Sequence, residues 1–159
     1  MDKPQHMPSE TSADDYFTLL GRISVLFATL DFAVTEVILK ISKNETEAFK
    51  LPSETATLGK KLRFLKELSV SSSFGMAAIE SLSNYLPAAI DIADERNRYT
   101  HDQWVFNPNL ISKGQIERVK LSSSGLKEKT LLTIGDISMF EGKVAAMQVP
   151  FFNILTSPL

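Results

Sequence analysis

One short stretch of the chain combines the residue types that proton transfer and phosphate binding require. The segment DERNRYTHDQW (94–104) places Arg96, Asn97 and His101 at the end of an apolar-striped helical pattern. A histidine exchanges a proton near neutral pH, and the planar guanidinium of an arginine binds phosphate oxygens through two parallel hydrogen bonds. The amide of Asn97 can orient either group. These three residues are therefore the candidate site.

Helix geometry sets a constraint on how the three residues could act together. On an ideal helix Ala93, Asn97 and His101 lie nearly in line, so we expect the apolar stripe to lead into Asn97 and His101. Arg96 lies roughly 140° from His101 around the same helix. The two side chains converge only if the helix deforms, if the long arginine reaches around it, or if a second subunit completes the site.

A purely structural role would explain the same residues without chemistry. Arg96 would then pair with a nearby acid, either Asp91 or Glu95. His101 would pack beside Trp104, and the asparagine between them would hydrogen-bond a neighbouring backbone group. The residue types alone leave this interpretation open.

The surrounding pattern predicts an all-α domain. Apolar residues three and four apart predict long helices over about 14–42, 57–68, from 76 to the motif, and from 138 onward, the last opened by a capping box of Ser138 and Glu141. Two prolines, Pro87 and Pro150, should kink or divide the helices that contain them. The expected fold is a bundle of four to five helices with a small β-hairpin, about 115–134, before the last helix.

Composition limits the other classes of function. The 159 residues suit one domain, expected over 13–159, behind a disordered tail over 1–12. The absence of cysteine excludes disulfides and thiolate sites, and the two histidines, His6 and His101, are not at metal-ligand spacing, so we expect neither metal nor cofactor. No charge-free apolar run approaches the length of a membrane span, and the polar start is unlike a secretory signal. We therefore expect a cytoplasmic protein with no membrane partner.

The motif also carries a family resemblance. ERNRYTHDQW resembles the Arg-Asn-x-x-x-His signature of the HEPN superfamily (higher-eukaryote and prokaryote nucleotide-binding domains), which lies near the end of the third helix. The basic, leucine-rich segment TLGKKLRFLKEL and the long first helix are similar to the elements that precede the motif in that family. The resemblance covers roughly residues 14 to 155, but only the 96–101 motif is specific, and the hairpin would be an insertion.

The resemblance implies a metal-independent endoribonuclease that acts as a toxin, a defence effector or an RNA-processing enzyme. Such domains usually form homodimers in which the motif helices face each other across a cleft. In that scheme Arg96, Asn97 and His101 are catalytic. Attack by a ribose 2′-hydroxyl on the adjacent phosphate needs a proton acceptor, which His101 would supply, and a fixed cation, which Arg96 would supply.

Basic residues near the motif are the expected RNA contacts. These are Arg98, Lys60 and Lys61, with the lysines of the hairpin as further candidates. Charge runs of this kind are more often solvated faces, and the net charge of −2 gives no general sign of nucleic-acid binding.

Two alternatives from other classes stay open at this point. The first is a non-catalytic HEPN-like dimer that binds RNA, a nucleotide or a protein. The second is a structural helical dimer in which Arg96 and His101 form intersubunit salt bridges with acids such as Asp94 or Asp102. The toxin interpretation would add an antitoxin protein as a partner.

Overall fold

The first helix, α1 (Ala13–Ser42), buries one of its faces in the apolar core of the molecule. The computed structural model describes residues 11–42, 56–71, 76–121, 125 and 127–157, so the expected tail over 1–12 lies almost wholly outside the described residues. Ser12 caps α1: its backbone N–H donates to Asp15 Oδ2 at 2.8 Å, and the Asp15 N–H donates to Ser12 Oγ at 3.3 Å. The hydrogen bonds that the Asp15 carboxylate accepts from the backbone and the side chain of Ser12 hold the pKa of Asp15 below its ordinary value. The predicted long first helix is confirmed.

Four further helices complete the helical part, which is mostly as predicted. They are α2 (Leu58–Ser71), α3 (Met76–His101), α4 (Pro108–Ile111) and α5 (Ile134–Thr156). α5 lies along α1 in the same direction, since Phe27 meets Phe140 at a ring-centroid distance of 6.0 Å and Lys40 Nζ donates to the Ile154 carbonyl at 2.8 Å. The buried faces of α1, α2, α3 and α5 form one apolar core.

The two prolines do not divide their helices. Pro87 lies inside α3, which continues for fourteen residues beyond it, and Pro150 lies inside α5, which continues for six. The start of α5 also differs from the expectation. The capping box forms between Thr133 and Asp136, not between Ser138 and Glu141, because the strand before α5 leads directly into the helix and Thr133 ends one element while capping the next.

The expected hairpin is present as part of a three-stranded antiparallel sheet. Its strands are β1 (Gln103–Val105), β2 (Gln115–Leu121) and β3 (Lys127–Thr133), in the order β1-β2-β3. The hairpin of β2 and β3 was predicted, whereas β1 was missed because three residues carry no readable alternation. β1 follows the motif helix after a single residue and pairs Trp104 with Arg118. The sheet is thereby attached to the end of α3.

α1 also has an outward apolar face. Within the described residues, the segment Ala13–Ile41 is long and apolar enough to cross a membrane by length and composition, with a mean hydropathy of 1.6. The same test is passed by core helices of soluble proteins, so this is weak evidence for a span. Ile23, Leu30 and Val34 of α1 are buried in the apolar core, and the fold is compatible with a soluble protein.

An ion pair between the buried Lys61 and the partly exposed Asp31 links α2 to α1. Lys61 Nζ lies 2.9 Å from Asp31 Oδ2 and 3.0 Å from Thr35 Oγ1, and the lysine side chain is only 6% exposed. A charge removed from water in this way depends on its partner, because the cost of desolvating an unpaired ammonium is large.

We therefore predict that Asp31→Ala lowers the free energy of unfolding by about 1–3 kcal/mol, since it leaves the Lys61 ammonium unpaired. Asp94→Ala is the matched control. It removes the exposed pair between Asp94 and Arg63, whose side chains are 56% and 54% exposed, and should change stability by less than about 1 kcal/mol. Urea unfolding of both variants measures the difference, and equal effects would show that the Lys61 pair is not a structural constraint.

Candidate functional site

Tyr99 anchors the end of α3. Its ring stacks on Phe140 of α5 at a centroid distance of 4.3 Å and an angle of 10°, and it meets Trp104 of β1 at 5.5 Å. The indole N–H of Trp104 donates to the Tyr99 carbonyl at 3.0 Å. The tyrosine thus joins the last turn of the motif helix to α5 and to the sheet.

The inward position of Tyr99 corrects the expected course of the apolar stripe. The stripe was predicted to lead from Ala93 into Asn97 and His101; instead it continues from Ile92 to Tyr99, seven residues later. At 100° per residue, Asn97 and His101 then lie on the opposite side of the helix, and both are exposed. The larger apolar surface of the tyrosine determines which side of the last two turns is buried.

Arg96 lines a pocket between the end of α3 and α1. Its guanidinium carbon lies 5.8 Å from the centroid of the Phe27 ring, a cation–π contact between α3 and α1. The pocket has a volume of about 370 Å³, within the usual range for small-ligand sites. Its lining joins α1, the end of α3 and β1: Leu20, Ile23, Ser24, Phe27, Arg96, Tyr99, Thr100 and Trp104. One cation therefore faces an otherwise mainly apolar and aromatic cavity.

The sheet contributes a second arginine beside this pocket. Arg118 of β2 places its guanidinium carbon 5.3 Å from the centroid of the Tyr99 ring. Its Nε lies 3.5 Å from Asp102 Oδ2, and both side chains are only 10% exposed. Asp102 is thus paired with Arg118, and the sheet packs against the end of the motif helix.

The sequence motif does not assemble into one contact within a single subunit. Among the described residues, no side-chain hydrogen bond or ion pair joins Arg96, Asn97 and His101 to one another. The structural pairing considered for Arg96 is also not formed there: no described carboxylate makes an ion pair with it, and Asp94 pairs with Arg63 at 3.3 Å. His101, which the structural interpretation placed beside Trp104, is exposed, and Trp104 packs on Tyr99.

The basic residues near the motif fall into two groups. Arg98 and Lys60 are exposed, whereas Lys61 is held by Asp31 inside the protein. Two hairpin lysines are paired across strands: Lys129 with Glu117 at 2.9 Å and Lys120 with Glu128 at 3.8 Å. Lys61 is therefore a structural cation, and the hairpin charges are partly neutralised.

Sequence reasoning missed most of the pocket. Trp104 was given only a packing role, and the sequence patterns did not single out Phe27, Tyr99 or Arg118 as site residues. The seven-residue step from Ile92 to Tyr99 was the available signal. The contact between Arg118 and Asp102 has no local signal, because sixteen residues separate them and only the strand pairing brings them together.

Comparisons of the chain with protein-family models, with curated proteins and with solved structures found no match. Within the described residues, no group of three or more histidine, aspartate or glutamate side chains could hold a metal ion. The function is therefore inferred from the site itself.

The pH dependence of stability tests the burial of Tyr99. Burial, with a smaller contribution from Glu95, raises the pKa of Tyr99 from 10.0 to about 12, while Arg118 acts in the opposite direction. The fold thus favours the neutral phenol. This contribution is complete below pH 10, where the unfolded chain is also neutral, and is lost as the pH rises from about 10 to 12.

Tyr99→Phe should therefore reduce the loss of stability that the native chain shows between pH 10 and 12. Urea unfolding at several pH values in this window measures the slope, and Tyr85→Phe, at a side chain that is 45% exposed, is the matched control. An unchanged slope in Tyr99→Phe would contradict the buried position of the phenol.

Proposed function

We propose that this chain is a cytoplasmic, metal-independent endoribonuclease of the HEPN type. The observation that supports this most is the position of Arg96, which has no carboxylate partner among the described residues and lines a pocket of aromatic rings. A structural arginine in a partly buried position normally pairs with an acid. An unpaired guanidinium in a cavity is instead suited to an anion supplied by a ligand.

RNA has the two chemical groups that such a pocket accommodates. A phosphate oxygen can accept hydrogen bonds from the guanidinium of Arg96, and a base can pack on the exposed parts of the aromatic rings. Thr100 and Ser24 add hydroxyl groups to the lining. The exposed Arg98 and Lys60 would contact further phosphates, whereas Lys61 is excluded from this role by its pairing with Asp31.

The proposed reaction uses the ribose of the substrate as the nucleophile. His101 takes the proton from the 2′-hydroxyl, the 2′-oxygen attacks phosphorus, and the bond to the 5′-oxygen breaks as that oxygen takes a proton from water. The products are a 2′,3′-cyclic phosphate and a 5′-hydroxyl. Arg96 stabilises the charge that develops on the phosphate, and Asn97 orients the phosphate or the imidazole.

The separation of His101 from the pocket makes a second subunit part of this proposal. His101 is exposed on the side of α3 away from Tyr99, so the histidine of one subunit does not meet its own Arg96. A homodimer that places the end of α3 at or beside the interface would bring the two groups together. As a toxin, the dimer would be controlled by an antitoxin protein.

The same separation favours one alternative function. If His101 stays exposed in the complex with RNA, Arg96 and the aromatic pocket would bind RNA or a nucleotide without cleaving it. That is the behaviour expected of a non-catalytic HEPN-like module, and a cleavage assay distinguishes the two functions.

The decisive variants are His101→Ala and Arg96→Lys, assayed on RNA in excess chelator. The native chain should cleave and leave a 2′,3′-cyclic phosphate. His101→Ala should reduce the rate by about 10²–10⁴-fold, the usual contribution of a general acid or base. Arg96→Lys should also be impaired, because lysine keeps the charge but loses the planar fork.

The other histidine provides the matched control, since His6→Ala removes the same side chain elsewhere in the sequence. Circular dichroism establishes whether the variants are folded. We expect His101→Ala to fold, because the His101 side chain is exposed. A folded His101→Ala variant that cuts at the native rate would refute the catalytic assignment. RNA binding by the native chain without any cleavage would support the binding module.

A further inference from the structure

α1 carries a second apolar stripe on the side away from the core. Val25, Phe32 and Leu39 follow one another at seven-residue intervals and are 66%, 58% and 39% exposed. Small residues alternate with them at steps of three and four. We call the whole set the outer seam: Gly21, Val25, Ala28, Phe32, Thr35 and Leu39, of which Thr35 lies at the edge toward α2 and accepts a hydrogen bond from Lys61. This spacing is that of the a and d positions of a coiled coil, with about 27 Å of helix between the first and last members.

We propose that the outer seam binds a second copy of this chain, with the two α1 helices antiparallel. In this alignment each large residue faces a small one. Leu39 packs over Gly21 of the partner subunit and Phe32 over Ala28 of the partner subunit. Apart from Gly21 itself, its chain neighbours and the nearby backbone of α1, no described atom lies within 4 Å of the position that a Cβ at Gly21 would occupy, so the space over this glycine is open. Alternating large and small side chains give the close packing that a stable helix pair needs.

Charge complementarity fixes the same alignment independently. Arg22 and Glu36 lie on one edge of the outer seam, each seven residues from Thr29. When the large and small residues are matched as above, Arg22 faces Glu36 of the partner subunit, and the twofold axis repeats the pair. Within the part of the chain that the structure describes, neither residue takes part in an ion pair.

A shallow groove lies at this charged edge. It has a volume of about 380 Å³ and is lined by Phe32, Glu36, Leu39, Lys40 and Leu155. Lys40 is already engaged there, since its ammonium donates to the carbonyls of Ile154, Leu155 and Ser157 at the end of α5. Glu36 is therefore the acid in the groove that is available to an incoming arginine.

A parallel pair of α1 helices would lack both forms of complementarity. It would place Phe32 against Phe32 and Gly21 against Gly21, which crowds one layer and leaves a void in another. It would also keep Arg22 and Glu36 of the partner subunit fourteen residues apart along the helices, so that this ion pair would not form. The residues of the outer seam thus favour the antiparallel arrangement.

This inference does not rest on the proposed ribonuclease activity. The dimer concerns the outward face of α1, and the residues that define it are outside the Arg96 pocket. It does deepen the proposed dimer, because Ser24, next to Val25, lines that pocket. The motif helix would consequently lie beside the interface.

Charge reversal tests the alignment through the molar mass in solution. The full chain should be a dimer by sedimentation equilibrium. Arg22→Glu and Glu36→Arg should each raise the dissociation constant at least about tenfold, since each variant creates two like-charge contacts, and the double variant should restore it. A native chain that is monomeric at micromolar concentration, or a double variant that is not rescued, would overturn the proposal.

The apolar contacts have a matched control on another helix. Phe32→Glu should give a folded monomer because Phe32 is already exposed. Met139→Glu replaces a residue of α5 that is 59% exposed and lies outside the outer seam, and this variant should remain dimeric. If the native chain instead sediments with phosphatidylcholine vesicles and Phe32→Glu does not, the face binds a membrane and the dimer is refuted.

Cross-linking distinguishes the two directions of pairing, because the chain has no cysteine of its own. Thr29 lies beside the twofold axis of the antiparallel dimer, so Thr29→Cys should be joined to its copy by a short bis-maleimide. Thr18→Cys is the control on the same face. It lies far from its own copy in the antiparallel dimer but opposite it in a parallel one, and efficient cross-linking of this variant alone would overturn the proposed direction.

Discussion

The burial of Tyr99 is the constraint on which the candidate site depends. Its ring contacts Phe140, Trp104 and Arg118, which belong to α5, β1 and β2, so the last turn of α3 has one orientation relative to three other elements. Arg96 lies about 60° from Tyr99 around the helix and is thereby directed toward the pocket against α1. Asn97 and His101 are directed toward solvent by the same constraint. The position of each motif residue therefore follows from a neighbour that takes no part in the proposed chemistry.

The sheet contributes to this constraint, although the sequence suggests that its hairpin is an insertion in a helical bundle. The buried pair of Arg118 and Asp102 connects β2 to the residue that follows the motif helix. A buried pair of this kind adds little net stability compared with apolar packing, but it allows only a narrow range of geometries. Its position beside Tyr99 fixes the junction between α3 and β1. A minimal bundle without the sheet would lack this support for the end of the helix.

The sequence predicted the elements better than it predicted their contacts. The inner stripe of α1 and the hairpin were predicted because apolar periodicity and turn residues are local signals. The true start of α5 was not, since Thr133 and Asp136 make a capping box as readable as that of Ser138 and Glu141, and only the end of β3 decides between them. The local sequence pattern also could not predict the orientation of the candidate site. This orientation depends on which side of the helix finds a partner of the right size, and Phe140 lies 41 residues from Tyr99.

We propose that Arg96 and the surrounding aromatic residues bind the phosphate and base of RNA, and the fluorescence of Trp104 allows this binding to be measured. Trp104 is the single tryptophan of the chain and lines the pocket. Titration with a short RNA that carries a 2′-O-methyl group at each position, and so cannot be cleaved by this route, should change the Trp104 fluorescence saturably. Arg96→Ala should abolish the change at the same RNA concentrations while the fold is retained. RNA binding detected by anisotropy with no change in Trp104 fluorescence, or an unaltered response in Arg96→Ala, would contradict the account.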